Sequence, residues 1–98
     1  IPENSTGIND PQVISSLNLY PNPVNDHFEF TYYLQHPEYV MANLLDVNGR
    51  EVVMLVNEKQ NGGKQTLSVN LNQNIAAGIY LLQLRAGDIQ LSRKLIKL

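Results

Sequence analysis

No cysteine occurs among the 98 residues, so neither a disulfide nor a thiolate metal site is available. Tryptophan is absent too, and with it the Cys and Trp hallmarks of antibody-type domains. No apolar run approaches the ~18 residues of a membrane helix. There is no initiating Met and no signal peptide. No run sustains apolar residues at i, i+3, i+4 and i+7, so no full helix is expected. Acids are almost missing from one part of the chain. Residues 59–98 hold six bases and a single acid, Asp88, whereas residues 1–58 hold eight acids and one base, Arg50. The net charge of −2 argues against a nucleic-acid binder as a whole.

Catalytic signatures are missing as well. No G-x-S-x-G, phosphate loop or dinucleotide fingerprint is present. Ser15, Ser16, Ser68 and Ser92 have no base nearby in sequence, and the acids form no recognisable acid/base pair. His27 and His36 do not make a metal-ligand spacing. Asp46-Val47-Asn48-Gly49 looks like a fragment of a calcium loop, but the twelfth position, where that loop needs a glutamate, is Asn57. The expectation is a non-enzyme with no cofactor and no metal.

What remains is a strand-forming chain. Its length suits one domain. Residues 1–16, with Pro2, Gly7 and Pro11, read as a linker or arm from something upstream. The opening Ile1-Pro2 reads as a cut inside a longer protein and Leu98 as the natural C-terminus, which would make this a last module. From Leu17 on, short apolar alternations are separated by turn signals every 8–12 residues. In "HFEFTYYL", Phe28, Phe30, Tyr32 and Leu34 share a face; Val40, Ala42 and Leu44 do so in the next run. Asn48-Gly49 predicts a type I′ hairpin, after which Val52, Met54 and Val56 resume the pattern. Leu67, Val69 and Leu71 follow the "NGGK" turn. "NQNIAAG" reads as a loop with one helical turn at residues 75–77 closed by Gly78. "IYLLQLRA" is apolar on both faces, as a central strand is. About seven strands over residues 17–98 predict an all-β, immunoglobulin-like sandwich, because one antiparallel sheet would leave a greasy face in water.

Two short stretches stand out. In "LYPNP", Pro21 and Pro23 lie two apart, so in an extended chain their missing donors fall on one edge; this predicts a stiff, edge-blocking end to the first strand. In "LSRKLIKL", Arg93, Lys94 and Lys97 crowd the last strand, where lysines discourage stray pairing and also mark an edge that a partner could recognise. Tyr32, Tyr33, Tyr39 and Tyr80 would suit a sugar-stacking platform, or packing within strands.

Four segments taken in order, "LYPNPVNDHFEF", "LLDVNGREV", "IAAGIYLLQLRAGD" and the terminal "SRKLIKL", resemble the type A C-terminal sorting domain of the type IX secretion system of Bacteroidetes. The resemblance spans residues 17–98 and implies a seven-stranded sandwich that serves as an address, not an enzyme. It implies passage of an upstream cargo in the same chain through the periplasm and an outer-membrane translocon to the cell surface or beyond. Removal there by a sortase-like peptidase is implied, with the cut falling within residues 1–20. Carried onto this chain, the family's motifs fall on Gly78 and Tyr80, on Lys94 and Lys97, and on Asp46, Gly49 and Arg50. Leu45 departs from the tyrosine common before the aspartate. The competing readings are a carbohydrate-binding or adhesive sandwich and a fibronectin-type spacer.

Overall fold

The computed structural model describes residues 14–71 and 74–98. Within them lie seven strands and no helix: β1 (Ile14–Tyr20), β2 (His27–Leu34), β3 (Glu38–Leu45), β4 (Glu51–Gln60), β5 (Gly63–Asn70), β6 (Gly78–Ala86) and β7 (Ile89–Lys97). They form a three-stranded sheet, β1-β2-β5, and a four-stranded sheet, β4-β3-β6-β7. Every ladder between them is antiparallel. The chain therefore changes sheet after β2, β4 and β5, which is the seven-strand immunoglobulin-like order with the fourth strand moved to the sheet of β3. The expected sandwich is present. β1 takes in residues 14–16 as well; residues 1–13 of the expected arm lie outside the described residues, and so does part of the 1–20 cleavage region.

The core follows the alternation where strands are regular. Phe28, Phe30, Tyr32 and Leu34 of β2 are buried, as are Val40, Ala42 and Leu44 of β3. Consecutive inward rings of β2 lie 6.2 and 6.0 Å apart, within the range of favourable aromatic pairs. β6 is central, between β3 and β7. It buries Tyr80, Leu82, Leu84 and Ala86 but leaves Ile79 and Leu81 exposed on its outer face. On β5, Leu67 and Val69 are half-buried, and Leu71, just past its end, is buried.

Three local expectations need correction. On β4 the register against β3 shifts twice, between Ala42 and Asn43 and between Leu44 and Leu45. Each shift adds a residue to β4, and each added residue reverses which side chains face in. Val52 and Met54 are consequently exposed, Val53 and Leu55 pack against the core, and only Val56 of the expected set is buried. The turn after β3 is not type I′, because Asn48 does not have positive φ; Gly49 alone does, at 83°. Gly49 N–H reaches Asp46 C=O at 2.9 Å and Asp46 N–H reaches Arg50 C=O at 2.9 Å, which fits a type I turn followed by a left-handed glycine. Residues 74–77 form no helical turn, while Asn72 and Gln73 lie outside the described residues.

Candidate recognition edge

β1 ends at Tyr20, and residues 21–23 bend instead of running on as an extended edge, with both the Tyr20-Pro21 and Asn22-Pro23 bonds cis. The bend carries the chain from one sheet across to the other. There the Asn22 side-chain amide donates to Lys94 C=O at 2.9 Å and accepts from Ile96 N–H at 3.0 Å. Val24 N–H then donates to Ile96 C=O at 2.8 Å, and Leu98 N–H to Val24 C=O at 2.8 Å. Val24 forms a parallel bridge with Lys97 and is fully buried. Residues 22–24 thus act as a strap over the last part of β7, with Asn22 standing in for a strand's peptide group. The edge closed by "LYPNP" in this way is that of the last strand. Asn22 was overlooked at the sequence level. The available signal was an amide side chain, which readily imitates backbone, set between two residues that cannot donate.

The terminal bases separate by strand alternation. Leu95 is buried, so Arg93 and Lys97 share its side of β7, while Lys94 shares the outer face with Ile96. Arg93 and Lys94 are exposed and Lys97 is half-buried. Lys97 Nζ donates to Leu98 O at 3.2 Å and Arg93 Nη1 to Ser92 C=O at 2.9 Å. Neither forms an ion pair within the described residues, where Arg50 and Asp46, at 3.6 Å, are the only such pair.

The other motif residues serve local structure. Gly78 opens β6 at φ 153°, a backbone conformation that side-chain-bearing residues rarely adopt. Two residues on, Tyr80 is 9% exposed and its hydroxyl donates back to Ala76 C=O at 2.5 Å. A tyrosine at this corner of an immunoglobulin-like sandwich, bonded to the backbone just upstream, is a tyrosine corner. Asp46 ties its own turn: Oδ1 accepts from Asn48 N–H at 2.9 Å and Arg50 N–H at 3.0 Å. The Arg50 N–H, the Asn48 N–H and the Arg50 charge hold the Asp46 carboxyl below its ordinary 3.8. Arg50 itself projects into solvent. The motif clusters meet at one end of the four-stranded sheet: Gly78 faces Lys97 and Leu81 faces Lys94 across the β6–β7 ladder, and Leu45, next to Asp46, faces Leu81.

The tyrosines do not build a platform. Tyr32 and Tyr80 are in the core, while Tyr33 and Tyr39 are exposed on the outer faces of different sheets. Burial pushes the Tyr32 phenol up to about 12, with the charge of Glu58 adding and the hydrogen bond to Gln60 opposing. Glu29, bonded at 2.9 Å to the Tyr20 hydroxyl, raises that phenol. His27 Nδ1 pairs with Asn70 Oδ1 at 3.0 Å and His36 Nδ1 lies 3.2 Å from Pro37 C=O, in different parts of the fold. Among the described residues no three His, Asp or Glu side chains cluster as metal ligands do.

A family model described as a secretion system C-terminal sorting domain matches residues 18–98. No curated protein matches the chain.

Proposed function

The chain belongs to the secretion system C-terminal sorting domain family, and on that premise we propose that it carries an upstream cargo across the outer membrane and is then cut away. Its type IX sorting role, the engagement of that system's machinery and a destination at the cell surface or outside the cell come with the family. The finer reading is that the last strand meets the outer-membrane translocon after periplasmic transit. A sortase-like surface peptidase then cleaves within residues 1–20, and the domain itself catalyses nothing. The family match over residues 18–98 is the observation that carries this reading. The exposed Arg93 and Lys94 on an edge strand support it, as does the absorption of Tyr80 and Asp46 into local structure. The dispersal of the tyrosines counts against a sugar-binding module.

A reporter fused upstream of residues 1–98, expressed in a bacterium with this secretion system, tests the reading. The fusion is expected at the surface or in the medium, with a new end mapped by mass spectrometry to residues 1–20. The same domain placed inside the reporter, ahead of another domain, is expected to stay within the cell. A spacer would direct export from neither place, and a C-terminal fusion that stays in the cell would sink the proposal.

A further inference from the structure

The strap covers only the end of β7. Ile96 directs its N–H and C=O away from β6, toward Asn22 and Val24. Outward backbone groups recur every second residue along a strand, so Lys94, Ser92 and Gln90 turn theirs the same way. Asn22 takes the Lys94 C=O and the Arg93 guanidinium takes the Ser92 C=O. The N–H groups of Gln90, Ser92 and Lys94 have no partner among the described residues, and β7 is the outermost strand of its sheet. Gln90, Ser92, Arg93 and Lys94 are all exposed. The result is a stretch of strand about five residues long with no hydrogen-bonded neighbour, although β1 of the facing sheet packs close to β7; it is stopped at one end by the strap and at the other by the β6–β7 turn.

Charge restricts what can lie there. Arg93 and Lys94 put a cation on each face of β7 at the end of the window, with no acid paired to either within the described residues. Asp88, the one acid after residue 58, sits in the β6–β7 turn at the far end. On the core-facing side Ile89 and Leu91 are half-buried, leaving an apolar margin beside the edge.

We infer that residues 90–94 of β7 accept a short extended acidic segment of a partner protein as an added edge strand. This rests on the sorting reading above and names the chemistry of the partner. Backbone N–H groups of Gln90, Ser92 and Lys94 donate to the incoming carbonyls, an apolar side chain covers Ile89 and Leu91, and carboxylates on both faces of the segment meet Arg93 and Lys94. The strap fixes the register by ending the available edge.

The experiment uses the reporter fusion described above with four versions of the domain. Ser92→Pro removes one outward donor and leaves the β6 ladder intact, the place where an edge strand tolerates proline. Ser92→Ala keeps the donor and loses only the hydroxyl. Arg93→Glu with Lys94→Glu reverses the charge without touching the backbone, and Arg93→Lys with Lys94→Arg preserves it. Export is expected to fall at least tenfold for Ser92→Pro and for the double glutamate variant, and to match wild type for the other two. Thermal melts of each purified fusion separate export from folding, and the charge pair carries the test if Ser92→Pro unfolds. Wild-type export by a folded Ser92→Pro, or by the double glutamate variant, overturns the inference while the sorting role stands. A wild-type fusion that stays in the cell overturns the sorting role, and the inference with it.

Discussion

The two long margins of the sandwich are built differently. On one side the strap runs from β1 to β7 and buries Val24 completely, using four hydrogen bonds between residues 22–24 and 94–98. On the other side β4 and β5 are both outermost strands of their sheets. Between them lies an open cleft of about 230 Å³ lined by Val52, Val53, Leu55, Val69, Leu71 and Ile75. The closed margin joins segments more than 70 residues apart in sequence, whereas the strands of the open margin follow one another directly. Adjacency in sequence therefore does not decide which seam is sealed. A side chain able to imitate a peptide group does.

Each margin has one side chain holding its crossing segment. Tyr80 pins Ala76, next to Ile75 in the cleft wall, and Asn22 pins the strap. Breaking the first should have the largest effect. Tyr80→Ala is expected to cost about 3–5 kcal/mol in urea unfolding, since it removes a buried ring, and Tyr80→Phe about 1 kcal/mol for the hydroxyl alone. A phenylalanine variant as damaged as the alanine one would place the importance in the hydrogen bond. Next comes the contrast in packing. Val24→Ala on the closed side should cost about 2 kcal/mol, and Leu55→Ala on the half-open side less, although it removes more atoms. The reverse order by denaturant titration would mean that the open cleft is filled in solution.

Asn22→Ala should cost about 1–2 kcal/mol, because its two bonds lie where water can replace them. Amide exchange at Ile96 and Leu98 is expected to speed up, while amides of β3 and β6 stay protected. Uniform acceleration would show that the strap is inseparable from the whole fold. The smallest effect is set by pH at neither margin. The folded-state Asp46 carboxyl titrates below 3.8, so its contribution is present above that value and fades as the pH falls through the folded pKa. Asp46→Asn should flatten the acid limb of a stability-versus-pH curve slightly, and an unchanged limb would discount the carboxylate.

Much of the fold was legible because β2 and β3 obey strict alternation, and their inward rows, Phe28 to Leu34 and Val40 to Leu44, belong to the buried core. β6 reads as apolar on both faces, yet only its Tyr80 to Ala86 row is buried, while Ile79 and Leu81 face out. β4 was misread at Val52 and Met54 because a bulge is set by pairing with a partner strand and leaves no mark on hydrophobic period. The Asn48-Gly49 turn was placed correctly but given the wrong type. Asp46 bonds two backbone N–H groups within the turn, a local contact that turn statistics for Asn-Gly do not include. Gly78 and Tyr80 were picked out by resemblance, and the corner they build is local enough to follow from spacing. The strap was hidden for a different reason: its partners are 72 positions from Asn22, and no local pattern reports a contact of that range.

That range makes the fold a gauge of its own length. Asn22 and Val24 have no place to settle until Lys94, Ile96 and Leu98 exist. A chain cut short before them would leave Val24 facing water and lose the buried Leu95. Closing so long a loop is entropically slow to repay, so the seam should be among the last parts to form. A finished strap would then be a receipt that the chain has been made through Leu98, written at the edge of β7.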